Sequence, residues 1–231
     1  MSEALRDFLL SGPKINTHIG QLYTLEEMPD VCPWAVYRGE PIERVIDQMF
    51  APLAERLTLI LHLLKTRCSQ ITVLLDNQKW YLIYVLQSGE GEKESYLCGG
   101  SPVNLPTLPD SVREAGWTLP KQLAELYAIH NGFGMLWPLD LFWNSDCVLP
   151  SNHLRVLAQI FSADMPKSID YDPNHLLEFF SDGGGNGQYF YRFDQNDSEC
   201  STVDWDHETR ELSHPADFWS FVDTRLGELI R

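Results

Sequence analysis

From residue 41 onward, apolar side chains return every three or four positions: Ile42, Val45, Ile46, Met49, Phe50, Leu53, Leu57, Ile60, Leu61 and Leu64. At 3.6 residues per turn this spacing gathers them on one stripe, so the longest helical signal of the chain lies here. Pro52 stands inside the stripe without an amide proton and predicts a kink or a break into two helices. The period then shortens. Residues 71–76 and 80–86 are rich in β-branched and aromatic side chains and flank the turn Asp76-Asn77-Gln78-Lys79. With residues 88–94 and the short Ser95-Tyr96-Leu97-Cys98 run they predict an antiparallel meander. Residues 99–109 collect Gly, Ser, Asn and three prolines, a composition that breaks regular structure. The boundary expected there separates an N-terminal α+β segment, 1–104, from a domain at 105–231, packed separately or as one body.

Past that boundary, Leu119, Leu123, Leu126, Tyr127 and His130 form a second stripe, with Thr118 as candidate cap, Pro120 in the first turn and Asn131-Gly132 as the stop. Residues 154–161 suit helix or strand, which periodicity cannot separate. Residues 176–181 and 188–193 flank Asp182-Gly183-Gly184-Gly185-Asn186-Gly187, whose residues accept positive φ and predict a hairpin. A further strand is expected at 200–205, ending in the polar turn Asp206-His207-Glu208-Thr209. The chain closes on a helix started by Pro215, with Phe218, Phe221, Val222, Leu226, Leu229 and Ile230 on the stripe that packs on the sheet. Grouped hairpins with helices at their ends predict an α+β fold: an antiparallel sheet with flanking helices, preceded by an N-terminal helix-plus-meander segment.

Four of these segments resemble the SMI1/KNR4-like (SUKH) superfamily. They are the Leu119-Pro120 start of a helix closing on His130-Asn131-Gly132-Phe133; Val148-Leu149-Pro150-Ser151 with the apolar run after it; Leu177-Glu178-Phe179-Phe180-Ser181-Asp182 entering the Gly-rich turn; and Asp204-Trp205-Asp206-His207-Glu208 leading to the Phe218-Trp219-Ser220-Phe221 helix. The likeness covers residues 109–231, and the first hundred residues do not align to the family pattern. It implies a SUKH-like α+β fold and a non-enzymatic, protein-binding role, foremost as an immunity protein that neutralises a cognate bacterial toxin. An intracellular scaffold or regulatory interaction protein is the alternative, and a metal-dependent hydrolase the distant one. Fold likeness alone does not fix function.

Composition narrows the partner. With 33 acidic against 17 basic residues in 231, the formal charge is −16, which repels nucleic-acid phosphate and favours a basic partner. No stretch approaches the roughly 18–20 apolar residues of a membrane span. The N-terminus lacks the basic start and cleavage site of a secretory signal. The five cysteines are odd in number and scattered, without C-x-x-C pairs. A cytoplasmic protein with reduced thiols is expected.

The chemical motifs are weak. The glycine run lacks the Gly-Lys-Ser/Thr of a P-loop and sits between strands, so it reads as a turn. Asp204, Asp206, His207 and Glu208 offer metal-ligand types, yet a hydrolytic site needs about three or four converging ligands, and they read as a charged strand end. No Gly-x-Ser-x-Gly elbow is present, and none of the seven histidines has a recognisable Ser or Cys partner motif. His130 reads as a helix cap. No catalytic, cofactor or metal residue is therefore assigned. Most tryptophans are expected in the core, whereas Trp137 and Trp143 lie in an irregular region where recognition residues concentrate. The candidate contact surface for a basic toxin is the acidic set Asp194, Asp197, Glu199, Asp204, Asp206 and Glu208, gathered at turns on one edge of the C-terminal sheet.

Overall fold

The computed structural model describes residues 3–11, 20–87, 94–135, 146–160, 172–182, 187–191, 201–206, 211–212 and 216–230. In chain order the elements are α1 (Glu3–Leu10), β1 (Gln21–Thr24), α2 (Ile42–Phe50), α3 (Thr58–Arg67), β2 (Cys68–Asp76), β3 (Lys79–Gln87) and β4 (Glu94–Gly100). They continue with α4 (Asp110–Glu114), α5 (Lys121–Tyr127), β5 (Phe133–Met135), β6 (Asp146–Val148), β7 (Arg155–Val156) and α6 (Leu157–Ile160). Last come β8 (Leu176–Asp182), β9 (Gly187–Tyr191), β10 (Ser201–Asp206), β11 (Glu211–Leu212) and α7 (Phe218–Ile230). The fold is α+β, as the pattern predicts.

One antiparallel sheet runs through the described residues in the order β1-β2-β3-β4-β5-β6-β8-β9-β10-β11, with β7 pairing beside β6 on the same edge of β8. The expected boundary region contributes to it: Gly99 and Gly100 belong to β4, where Gly99 pairs with Phe133 and Cys98 with Gly134 of β5. Hydrogen bonding therefore passes without interruption from the N-terminal meander into the C-terminal strands, and one apolar cluster spans both, from Leu5 and Trp34 to Phe180 and Leu226.

Pro52 does break the first helix. The stripe continues through a 3-10 turn, Ala51–Leu53, into α3, and Phe50, Leu53, Leu57, Ile60 and Leu64 all stay in the core. The second helix departs from expectation at its start. Pro120 occupies the N-cap position, no side chain caps the helix, and Thr118 does not take that role. At its end Gly132 has φ +88°, but Asn131 is not left-handed. Residues 155–160 form strand and then helix, in that order, and β10 continues through Asp206 instead of turning there. Neither α1 nor β1 carries a sequence signal strong enough to predict it, being short and amphipathic over only two turns or four residues.

β3 is buried continuously from Leu82 to Leu86 because both sheet faces are covered. Tyr84 is in register with Leu97, so it and Tyr96 point to opposite faces. The Tyr84 hydroxyl meets Met49 of α2, whereas the Tyr96 ring packs on Phe8 of α1 at 4.6 Å. The helices thus sandwich the meander. α7 lies against α3, β6 and β10, with Phe218 and Phe221 at 5.2 and 5.7 Å from Phe179 of β8. Asp223 of α7 ties the two helices together: its carboxylate accepts hydrogen bonds from the Leu59 and Ile60 amides at 3.0 and 2.9 Å, capping α3 from outside its own sequence. Trp34, Trp117, Trp205 and Trp219 are buried as expected, and Trp80 is half-buried. The four described cysteines, Cys32, Cys68, Cys98 and Cys147, form no disulfide among the described residues.

Candidate functional site

Strand alternation decides which acids of β10 face out. Val203 and Trp205 turn inward to a small cluster with Leu157 and Leu176, so Asp204 and Asp206, two residues apart from each other, share the opposite face. Asp204 is exposed and Asp206 half-buried. The β10–β11 register sets Asp206 opposite Glu211, adding an acidic position that a linear reading misses because it comes from the neighbouring strand. Asp194, Asp197, Glu199, Glu208, Trp137 and Trp143 lie outside the described residues, as does His207. Among the described residues, no group of three or more His, Cys, Asp or Glu side chains could hold a metal ion.

A second acidic pair sits across β9, at the same end of the C-terminal strands as Asp204 and Asp206. Asp146 of β6 is in register with Asp182 of β8, and Arg225 of α7 lies 3.6 Å from the Asp146 carboxylate. Burial pushes the Asp146 carboxyl upward; Arg225 opposes that shift and Asp182 adds to it. One strand along, Arg155 of β7 binds Glu178 of β8 through Nε and Nη2 at 2.7 and 2.6 Å. Glu178 is buried, and desolvation outweighs Arg155 in moving its carboxyl upward. This pair is a cross-strand clamp in the register Arg155↔Glu178. Arg155 is itself 44% exposed, so removing it costs less than the roughly 3–5 kcal/mol lost when a fully buried pair is broken.

His130 is not a helix cap. Its ring is fully buried between Trp34, Phe50, Tyr84 and Phe133, stacked on the last at 5.2 Å. Nδ1 lies 3.3 Å from the Gly100 carbonyl and Nε2 lies 2.8 Å from the Tyr84 hydroxyl. A carbonyl only accepts, so the hydrogen-bond network assigns the proton to Nδ1 and leaves Nε2 to accept from Tyr84. Burial lowers the histidine pKa to about 4, with the Gly100 bond opposing weakly. The Tyr84 phenol is pushed well above its ordinary value by the same desolvation. Gly99 makes room for the ring, since a Cβ there would overlap it. A neutral imidazole with both nitrogens engaged joins α5, β3 and β4; it touches no open surface and supplies packing instead of proton transfer.

On the outer surface, Lys79 and His153 face a groove at the β2–β3 turn. No sequence motif marks it, because its walls come from segments spread over more than seventy residues, from Gln78 to His153. No helix among the described residues is long and apolar enough to cross a membrane. No family model matches the chain, and no curated protein or solved structure matches it.

Proposed function

We propose that this protein acts by binding another protein, as a cytoplasmic SUKH-like immunity protein that neutralises a basic toxin domain. The observation that carries the reading is the outward acidic face of β10, where Asp204 and Asp206 are set side by side by the strand period on a chain of charge −16. Val203 and Trp205 fix that face by anchoring the strand from behind. A negative surface accelerates the encounter with a cationic partner, and the acceleration is screened over a Debye length of about 8 Å at physiological salt. Neutralisation then needs neither cofactor nor chemistry, because a stoichiometric complex that covers the toxin's active site suffices. The segments that resemble the SUKH pattern support the reading by folding around a common core of α5, β5, β8 and α7.

The test is co-expression with the product of any toxin-like gene found adjacent to this one, followed by gel filtration of the pair. Cell rescue and a 1:1 complex are expected, with Asp204→Asn/Asp206→Asn weakening the complex about tenfold, mainly through slower association and a shallower salt dependence. Absence of both rescue and complex overturns the proposal. A complex without rescue assigns the protein to scaffolding instead.

A further inference from the structure

The groove beside the start of β3 has a volume of about 440 Å³ and is built from three separate stretches of chain. The first is the tight β2–β3 turn, whose Asn77 and Gln78 both have positive φ, 47° and 64°, and which brings Lys79 and Trp80 to the rim. The two positive φ values match the right-handed twist of the flanking strands. The second follows β4: Ser101 donates both its amide and its hydroxyl to the Trp80 carbonyl at 3.1 and 3.0 Å, and the Val103 amide donates to the Tyr127 carbonyl at 2.8 Å. Leu105 then projects with 89% of its surface exposed. The third is the 3-10 turn Ser151–His153, held by the Ser151 amide donating to Asn131 Oδ1 at 2.8 Å. Each wall is pinned by hydrogen bonds at its base, so the groove is preorganised.

Its charge runs against that of the molecule. Among the described residues that line it, none is acidic and two, Lys79 and His153, are basic, although the chain carries −16 overall. Lys79 is exposed and has no ion-pair partner among the described residues, while Arg155 nearby is taken by Glu178. Burial, then Lys79, then Arg155 move the His153 imidazole toward its neutral form. Lys79 comes from β3, Arg155 from β7, and the carboxylate of Glu178 on β8 is engaged by Arg155. An anion entering the groove lowers that repulsion and gains Lys79 as a direct partner. Beside the cations stands Leu105, an exposed apolar body adjoining a positive site. The Ser101 hydroxyl oxygen still accepts and the Asn131 amide nitrogen still donates, their other ends being engaged within the walls, and these two groups match the N–H and C=O of an extended backbone.

We infer that this groove binds an extended peptide segment of a partner protein bearing a carboxylate next to an apolar side chain, with Lys79 and His153 on the carboxylate and Leu105 against the apolar group. The site lies apart from the acidic face of β10 and does not depend on the partner being a toxin. It gives the molecule two recognition surfaces of opposite charge.

The test is calorimetric titration of the full chain with an acetylated, amidated peptide of alternating Glu and Leu, with its Gln-Leu counterpart and with sodium acetate. The Glu-Leu peptide is expected to bind in low salt and the Gln-Leu peptide about fivefold or more weakly, with Lys79→Gln, an exposed change that leaves the melting temperature unmoved, producing a similar loss. Binding should tighten as the pH falls from 8 to 6 with proton uptake, and His153→Gln should abolish that uptake. Equal affinity for the two peptides, binding unaffected by Lys79→Gln, or no binding of either peptide overturns the inference. So does acetate binding as tightly as the Glu-Leu peptide, which would mark a bare anion site. Because no toxin enters the titration, its outcome is separate from that of the co-expression experiment.

Discussion

His130 shows how a single side chain links folding to pH. The unfolded chain takes up this proton near the ordinary 6.5, whereas the folded protein refuses it until about 4. Between those values the unfolded state binds more protons, so stability falls as the pH falls, and the loss is complete below about 4. With 1.36 kcal/mol per pKa unit, the histidine accounts for a loss on the order of 3 kcal/mol across that window. Urea denaturation at pH 7.5, 6 and 4.5 should show this slope in the wild type. Subtracting the same series for His130→Asn, which cannot titrate, should isolate it. A difference that is flat with pH would mean the imidazole is not held neutral. The residue was visible in the sequence as the end of a helical stripe, which suggested capping. Its role comes from Gly99, Gly100 and Tyr84, thirty and more residues away, and no local pattern predicts that meeting.

At the scale of elements, the hydrophobic stripes were legible and the terminations were not. The stripe from residue 42 to 64 predicted both helices and the break at Pro52, because period and missing amide proton are local properties. The start of α3 was not predictable, since its cap is Asp223 on α7, more than 160 residues later. A carboxylate accepting two helix-start amides is worth more than a typical cap, and Asp223→Ala should lower unfolding free energy by about 2–3 kcal/mol. Asp223→Asn should recover part of it, because an amide oxygen still accepts. Chemical denaturation of the three proteins checks this, and an alanine variant as stable as wild type would remove the tertiary cap from the account. The same limit explains Thr118: it has the chemistry of a cap, but the chain places Pro120 at the N-cap instead.

For the whole molecule, the continuity of the sheet matters most. Residues 99–109 have the composition of a linker, yet the first two are strand, Gly99 in register with Phe133 of β5 and Gly100 with Tyr81 of β3. Gly134 in turn permits the close approach of β5 to β6, as a Cβ there would overlap the Asp146 carbonyl and the Cys147 side chain. Dividing the chain at 104/105 exposes the paired edge of β4 and cuts the common core. Expressed separately, residues 1–104 and 105–231 should each show broad, weakly cooperative melting, while the intact chain unfolds in one transition. Calorimetry of the three chains decides it, and a sharp transition for either fragment would show an autonomous unit. Charge also acts at this scale, since −16 is a property of the whole chain, but its separation into an acidic β10 face and a groove lined by Lys79 and His153 is a property of the fold.

The sequence by itself determined the α+β class, the two main helical stripes, the β2–β3 and β8–β9 hairpins and the acidic character, because period, turn chemistry and composition are carried by neighbouring residues. It also placed Asp204 and Asp206 on one face of a strand, since alternation is local. Tertiary structure alone decided the single sheet, the cap from Asp223, the buried His130–Tyr84 bond, the Arg155–Glu178 clamp and the basic groove. Each of these joins residues distant in sequence, and their energies arise from burial and geometry that exist only once the chain has closed on itself.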